Sequence, residues 1–492
     1  MLLSFLDVSS LLVVSLVAIV CCACWIRSRR SQDLPGPHWS LPLIGHLHLL
    51  TVQPHVALMN MQQKYGDIFK IQFGPYPAVV ISGKRLIKDA CQLSSLIGRP
   101  HKLFNSWSKH SRYFAFGHSA ACLQYRKVTM KAIAFFTKEF CEEAVHEAID
   151  ELTNVLCNEG DGQCQRDLIR ASVADISYLM CFGEKKKSRN DKNFQQVISS
   201  LTDILSFARI ASLADLLPWA LYLPAIRRKY KLYVAAQDRL AELVRLQEKR
   251  HKLLLELSPQ SDACTSSDLC DLLINSMSSH ELQELKMRNP GLGTLSEQTG
   301  MLLVAGYETV AVSLTWAIIL LADHTDMQNK IREELTESKT SQLLEAFILE
   351  SLRYSMASPL AMPHMTVSPA TINGYKIAKD TLVLINLWSG SRDSRVWGED
   401  VDRFNPYRFL DCSTGQIKAA LADELLAFGS GRRRCVGEKL AKFEMRQFLI
   451  GIIQKCRILL ADETKKVDYW TNTLHGRNTP PIVNLRFIKL QR

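Results

Sequence analysis

The chain has 492 residues, 47% of them hydrophobic, and a formal net charge of +11. That apolar share is enough to bury one large core, and the basic balance suits an acidic partner or an anionic membrane surface. No basic-aromatic tract points to nucleic acid, and the 14 cysteines are scattered, with one C-x-x-C spacing (Cys21 to Cys24) inside an apolar run and no second pair. This excludes a zinc finger and a disulfide scaffold and points to a reducing compartment for the globular part.

Residues 8–26 form a charge-free run that ends in Arg27-Ser-Arg-Arg30. Its length matches one bilayer crossing, and basic residues stay on the cytoplasmic side. Asp7 stands where a cleaved signal peptide needs a basic region, so a retained anchor over 1–30 is expected. Leu34-Pro-Gly-Pro37 and Pro42-Leu-Ile-Gly45 then make a stiff hinge over 31–46, because proline fixes φ and interrupts any helix. Residues 47–492 form the remaining domain. Short apolar runs from Tyr65-Gly-Asp to 78–81 predict a small β-sheet, closed by Gly98-Arg-Pro100. From about 120 to 255, apolar residues recur at three- and four-residue steps and predict helices. Residues 259–267 and 276–290 are polar and breaker-rich, and they read as loops.

The stretch 295–323 is apolar nearly all round, which suits a core helix or a second membrane span. Gly306, Glu308 and Thr309 in its middle favour the core helix. Taken alone, Thr309 could simply bond back to the preceding turn. Farther on, Leu343-Leu-Glu-Ala-Phe-Ile-Leu-Glu350-Ser-Leu-Arg353 keeps helical spacing and places Glu350 and Arg353 one turn apart.

The chain culminates in Phe428-Gly-Ser-Gly-Arg-Arg-Arg-Cys435-Val-Gly437, a glycine-rich turn feeding an amphipathic helix. Gly431 and Gly437 are expected to turn the backbone sharply. A thiol at a helix N-terminus beside Arg432, Arg433 and Arg434 should have a lowered pKa. A buried structural cysteine is the plainer alternative.

The spacing Phe-x-x-Gly-x-Arg-x-Cys-x-Gly resembles the haem-ligand loop of the cytochromes P450, a mainly α fold with a minor β region. The resemblance covers residue 34 to the C-terminus. It implies haem b as cofactor, with Cys435 as the axial thiolate to iron, Phe428 beside the sulfur, Gly431 and Gly437 shaping the loop, and Arg433 on a propionate. Arg126 and His364 occupy two further propionate positions, although Cys122 stands where the family carries a tryptophan. Ala305-Gly-Tyr-Glu-Thr309 resembles the oxygen-activating groove. There Gly306 would open the helix, Thr309 would offer a hydroxyl and Glu308 would feed protons inward; Val310 replaces a common second hydroxyl. Glu350 and Arg353 resemble the structural Glu-x-x-Arg pair, locked by Arg408 of Phe404-Asn-Pro-Tyr-Arg408-Phe. The segments 172–183 and 213–224 resemble helices that roof the substrate pocket.

Between Thr340 and the Glu350 helix the family spends an extra short helix that is missing here, and its loss should uncover part of the core. Pro42-Leu-Ile-Gly-His46, Pro54-His-Val-Ala-Leu58 and Glu345-Ala-Phe-Ile-Leu-Glu350 are most similar to the aryl-hydrocarbon-hydroxylase branch, with the steroid 17- and 21-hydroxylases next. The implied protein is a monooxygenase of lipophilic aromatic compounds or, alternatively, of steroids. It would sit on the endoplasmic reticulum facing the cytosol, served by NADPH-cytochrome P450 reductase, with cytochrome b5 as an optional second partner. A haem-binding relative without monooxygenase activity is the rival from another class.

Overall fold

The computed structural model describes residues 34–490 except 51–52, 101–102, 104–112, 140, 159–164, 183–190, 258–268, 270–271, 274–294, 339, 463, 465–466, 468 and 470–478. The anchor over 1–30 and the two breaker-rich loops therefore lie outside the described residues.

Helix α1 (Pro54–Tyr65) leads into the hairpin β1 (Ile68–Phe73) and β2 (Tyr76–Ile81), followed by α2 (Lys84–Gln92). Helices α3 (Ala120–Glu139), α4 (Cys141–Asn158), α5 (Gln165–Phe182), α6 (Lys192–Leu216) and α7 (Pro224–Leu257) then build the helical body. The central helix α8 (Leu295–Asp323) is followed by α9 (Thr325–Ser338) and α10 (Gln342–Ser355). Strands β3 (His364–Met365), β4 (Ala370–Ile372), β5 (Tyr375–Ile377) and β6 (Leu382–Ile385) come next, then the short helices α11 (Leu387–Ser391), α12 (Ser394–Trp397) and α13 (Ala419–Ala422). Helix α14 (Glu438–Lys455) and the hairpin β7 (Cys456–Leu460) and β8 (Leu485–Lys489) end the chain. The fold is mainly α with a minor β part, as the helical and alternating patterns imply.

The main sheet has the order β1-β2-β6-β3, with β2 and β6 parallel and the other pairs antiparallel. The hinge residues do not stand apart from it. Lys70 N–H donates to Pro35 C=O at 2.8 Å and His46 N–H to Gln72 C=O at 2.7 Å, so 34–46 lie along the β1 edge.

Helix α8 is a core helix. Between 302 and 322 every residue is buried except Ala305, Gly306 and Thr309. Its apolar surface packs against α5, α7, α10 and α14. Helix α5, which carries Ser172 to Phe182, lies against α8 and α4 within the main core and does not roof a pocket. The roof assignment for 172–182 is thus corrected; its apolar face is consumed by those two helices. The shortened link before α10 also differs from expectation. Ser341 caps α10 by accepting from Leu344 N–H at 2.8 Å, and Ile331, Leu335, Leu343 and Leu344 are all buried. An immediate helix start covers the core that the missing segment was expected to leave open.

Candidate haem-thiolate site

The loop before α14 turns through two left-handed glycines, Gly429 (φ 73°) and Gly431 (φ 64°). At Gly431 a Cβ would lie 2.0 Å from Cys91 C=O, so no side chain fits there. Gly437 has φ −91° and caps α14, and a Cβ there would meet nothing within 4 Å. The second sharp turn thus belongs to Gly429, and Gly437 contributes open space. The reversal lets Cys435 N–H donate to Phe428 C=O at 2.8 Å, which fixes both ends of the loop.

The Cys435 side chain is exposed at a position set deep in the protein. Burial pushes its thiol up; the Gly437 backbone amide acts against this, Glu438 acts with it, and Arg126 and Arg434 oppose it. The lowered value expected from helix position and neighbouring arginines is therefore corrected. Arg434 spends its charge on Glu438, with Nη2 2.7 Å from Oε1, and desolvation outweighs what is left. A cation bound at the sulfur would reverse the balance, since metal ligation deprotonates a thiol outright.

Arg433 turns inward, donating from Nε to Ile97 C=O at 3.0 Å and from Nη2 to Gly117 C=O. Arg99 donates from Nη1 to Met362 C=O at 2.8 Å and Pro363 C=O at 3.0 Å. Burial, then Arg433 and Arg126, push the Arg99 guanidinium well down, while burial and Arg126 lower Arg433 to about 10. Burial likewise lowers Arg126. Among the described residues, no carboxylate is paired with any of the three. His364, in β3, is buried with Nδ1 2.7 Å from Leu96 C=O, and burial and Arg99 hold it well below the usual imidazole range. Neutral His364 thus sits beside a group of mutually repelling arginines. Buried cations lacking a counter-charge are costly unless a ligand brings one. A dianionic group such as the two haem propionates answers that need.

At the position of the absent tryptophan, Cys122 is buried and receives a hydrogen bond from Ser119 Oγ at 3.2 Å. It packs under Gly117, where a Cβ would come within 2.3 Å of the Cys122 sulfur.

On α8, Ala305 and Thr309 are four residues apart and Gly306 lies beside them, so the only unburied positions of that stretch share one face. The helix continues unbroken through Gly306, which leaves room rather than a break. Thr309 Oγ1 donates to Ala305 C=O at 2.9 Å, the local bond of a helical threonine. Glu308 points elsewhere: its Oε1 accepts from Arg170 Nη2 on α5 at 2.9 Å, and its Oε2 is buried without a hydrogen bond. Burial opposes the charge on Arg170, but Glu308 outweighs it and holds the guanidinium above its ordinary value.

Beyond this strip, Ile204 of α6, Gln237 and Leu240 of α7, and Glu297, Met301 and Val304 of α8 line a mostly apolar cleft.

A buried charged network ties α10 to the segment 400–408. Arg353 donates to Glu350 through Nε at 2.7 Å and Nη2 at 2.8 Å, both side chains being fully buried. Arg408 Nε reaches Glu350 Oε1 at 3.1 Å and clamps Asp400 with both amino groups, at 3.0 and 3.1 Å. Tyr407, beside Arg408, is half exposed and takes no part in this network.

Sequence reasoning missed Arg99 and Arg170 as site residues. Arg99 carried one signal, a cation between Gly98 and Pro100 at the close of the β region. Arg170 carried none, because its partner is 138 residues away.

A cytochrome P450 family profile matches residues 34–483. Among curated proteins, the chain is similar to cytochrome P450 1A1 of Platichthys flesus, 30% identical over 463 residues, covering 87% of this chain and 85% of the relative. It is equally similar, at 30% identity and the same coverage, to cytochrome P450 1A1 and cytochrome P450 1A3 of Oncorhynchus mykiss.

Proposed function

The chain belongs to the cytochrome P450 family, a haem-thiolate monooxygenase family, and we propose that this member hydroxylates lipophilic, preferentially planar aromatic, compounds. Steroids are the second substrate class. The observation that carries the reading is the pairing of the exposed Cys435 with an arginine group that has no carboxylate partner among the described residues.

Cys435 would hold haem b by its sulfur, and Arg433, Arg126 and Arg99 would bind the two propionates. When bound, that group supplies oxygen activation, with the thiolate pushing electron density toward O–O cleavage. The protein's part is to bind, orient and protonate. The open strip at Ala305, Gly306 and Thr309 gives the reacting end of a substrate a place against α8. Thr309 can release its local bond to Ala305 and turn its hydroxyl outward. Glu308 would relay protons only when Arg170 lets it go. The apolar lining from Ile204, Leu240, Met301 and Val304 selects lipophilic molecules and excludes water.

Electrons would come from NADPH through cytochrome P450 reductase, with cytochrome b5 as a possible second donor. A 1–30 anchor would place the domain on the endoplasmic reticulum, facing the cytosol. The test is a reduced carbon-monoxide spectrum of the parent and of Cys435→Ser, followed by NADPH consumption with reductase over a panel of aromatic and steroid substrates. The parent should give the red-shifted Soret band of a thiolate-ligated haem, and Cys435→Ser should lose it. A band retained in the variant overturns the ligand assignment. Product formation separates a monooxygenase from a haem protein of another kind.

A further inference from the structure

Cys157, near the C-terminal end of α4, and Cys456, the first residue of β7, bring their sulfurs within 2.9 Å although 299 residues separate them. A covalent S–S bond is about 2.04 Å, so less than an ångström of closure joins them. Cys456 is buried and Cys157 half-buried, which makes Cys157 the more accessible residue of the pair. Burial and the contact with Cys157 push the Cys456 thiol far up, so Cys456 rests as a neutral thiol. Neither residue belongs to the Cys435 site. Cys456 directly follows α14, the helix that begins at the Cys435 loop, and α4 packs along α14. Lys455 pairs with Asp150 across the same junction.

We propose that Cys157 and Cys456 form a reversible thiol–disulfide site that is closed by peroxide. Cys157, as thiolate, attacks one oxygen of hydrogen peroxide; the O–O bond breaks, Cys157 becomes a sulfenic acid and hydroxide leaves, taking up the proton the thiol gave. The Cys456 sulfur then attacks the sulfenic sulfur, the S–S bond forms, and the hydroxyl leaves as water with the Cys456 proton. In sum, two thiols and one peroxide give one disulfide and two waters. In a reducing compartment the pair rests as thiols and reopens by thiol exchange. When closed, the bond ties the far end of the Cys435 helix to α4 across most of the chain, which restricts the unfolded ensemble and raises the unfolding temperature.

The site is independent of the haem reading and is tested without turnover. Full-length, haem-loaded protein in membranes is treated with graded hydrogen peroxide, alkylated and digested. The exposed thiol of Cys412 serves as the dosing control. A linked peptide joining Cys157 to Cys456, lighter than its parts by two hydrogens and cleaved by dithiothreitol, is the expected result. Cys157→Ser should then leave Cys456 fully alkylatable, and peroxide should no longer raise its unfolding temperature. The proposal is overturned if both cysteines stay alkylatable at doses that oxidise Cys412. It is equally overturned if Cys157 proceeds to sulfinic acid or links to a different cysteine.

Discussion

Arg170 of α5 holds the carboxylate of Glu308 at 2.9 Å, and Glu308 is the residue immediately before Thr309 on the central helix. One turn of backbone thus carries a hydroxyl on the open face and an ion pair on the buried face. Residues adjacent in sequence point about 100° apart around a helix, so the two groups do not meet directly. A proton passing from Glu308 to the open strip needs the pair to loosen.

The ion pair should therefore be energetically coupled. Arg170→Gln and Glu308→Gln are each expected to destabilise the fold, because each leaves a partly buried partner without its counter-charge. The double variant should lose less than the sum of the two, by ~1–3 kcal/mol. Denaturant unfolding of the four proteins checks this, and simple additivity would remove the pair from the account.

Thr309→Ala should keep haem binding and the carbon-monoxide spectrum, since Cys435 and the arginines are untouched. NADPH should still be consumed with reductase, but more reducing power should appear as hydrogen peroxide and less as product. A tenfold change in rate corresponds to about 1.4 kcal/mol, so one lost hydrogen bond is readable. Val310 cannot replace Thr309, having no hydroxyl and facing the buried side. Equal coupling of NADPH to product in variant and parent would take Thr309 out of the mechanism.

Deleting residues 1–30 should shift much of the protein from carbonate-resistant membranes to a loosely bound, salt-sensitive fraction, because the charge-free run 8–26 is the apolar segment long enough to anchor it there. Unchanged carbonate resistance would contradict a single anchor.

What the sequence made legible is what local pattern encodes. The apolar run of 295–323 announced a core helix, and Glu350, Arg353 and Arg408 came from short motifs whose partners the fold brings into one buried network. Long-range partnerships were silent. Two acceptors of Arg99 lie 263 and 264 residues away, and nothing near Arg99 foretells them. The Cys435 thiol shows the same limit: its helix position and neighbouring arginines can be read from the sequence, but the desolvation that outweighs them depends on how deep the fold sets the loop. The exchange of roles between Gly429 and Gly437 followed from the conformation of the turn, which spacing alone does not fix.

Arg408→Lys should be costly although charge is kept. The guanidinium makes a two-pronged contact with Asp400 while Nε reaches Glu350, and an ammonium cannot span both. A loss of ~2–4 kcal/mol in stability is expected from disturbing a buried charged network. Thermal unfolding checks this; a variant equal to the parent would show that the network is dispensable.

Glu444, on α14, offers a pH test whose sign is fixed by burial alone. Its side chain is buried, its Oε2 has no hydrogen bond, and desolvation raises its pKa from 4.5 to about 8. At pH below 4.5 the carboxyl is neutral in both folded and unfolded chains and costs nothing. Between 4.5 and 8 the unfolded chain releases this proton while the folded protein keeps it, so stability falls by about 1.4 kcal/mol per pH unit. Above 8 the decline ends. Glu444→Gln keeps the shape of the neutral acid and has no proton to release, so it should match the parent near pH 4.5 and exceed it at pH 7 by on the order of 3 kcal/mol. Other titrating groups cancel in the difference, because both proteins carry them. Unfolding midpoints of the two proteins, measured from pH 4.5 to 8, should therefore diverge steadily; parallel curves would mean that Glu444 is ionised and paired in the folded protein.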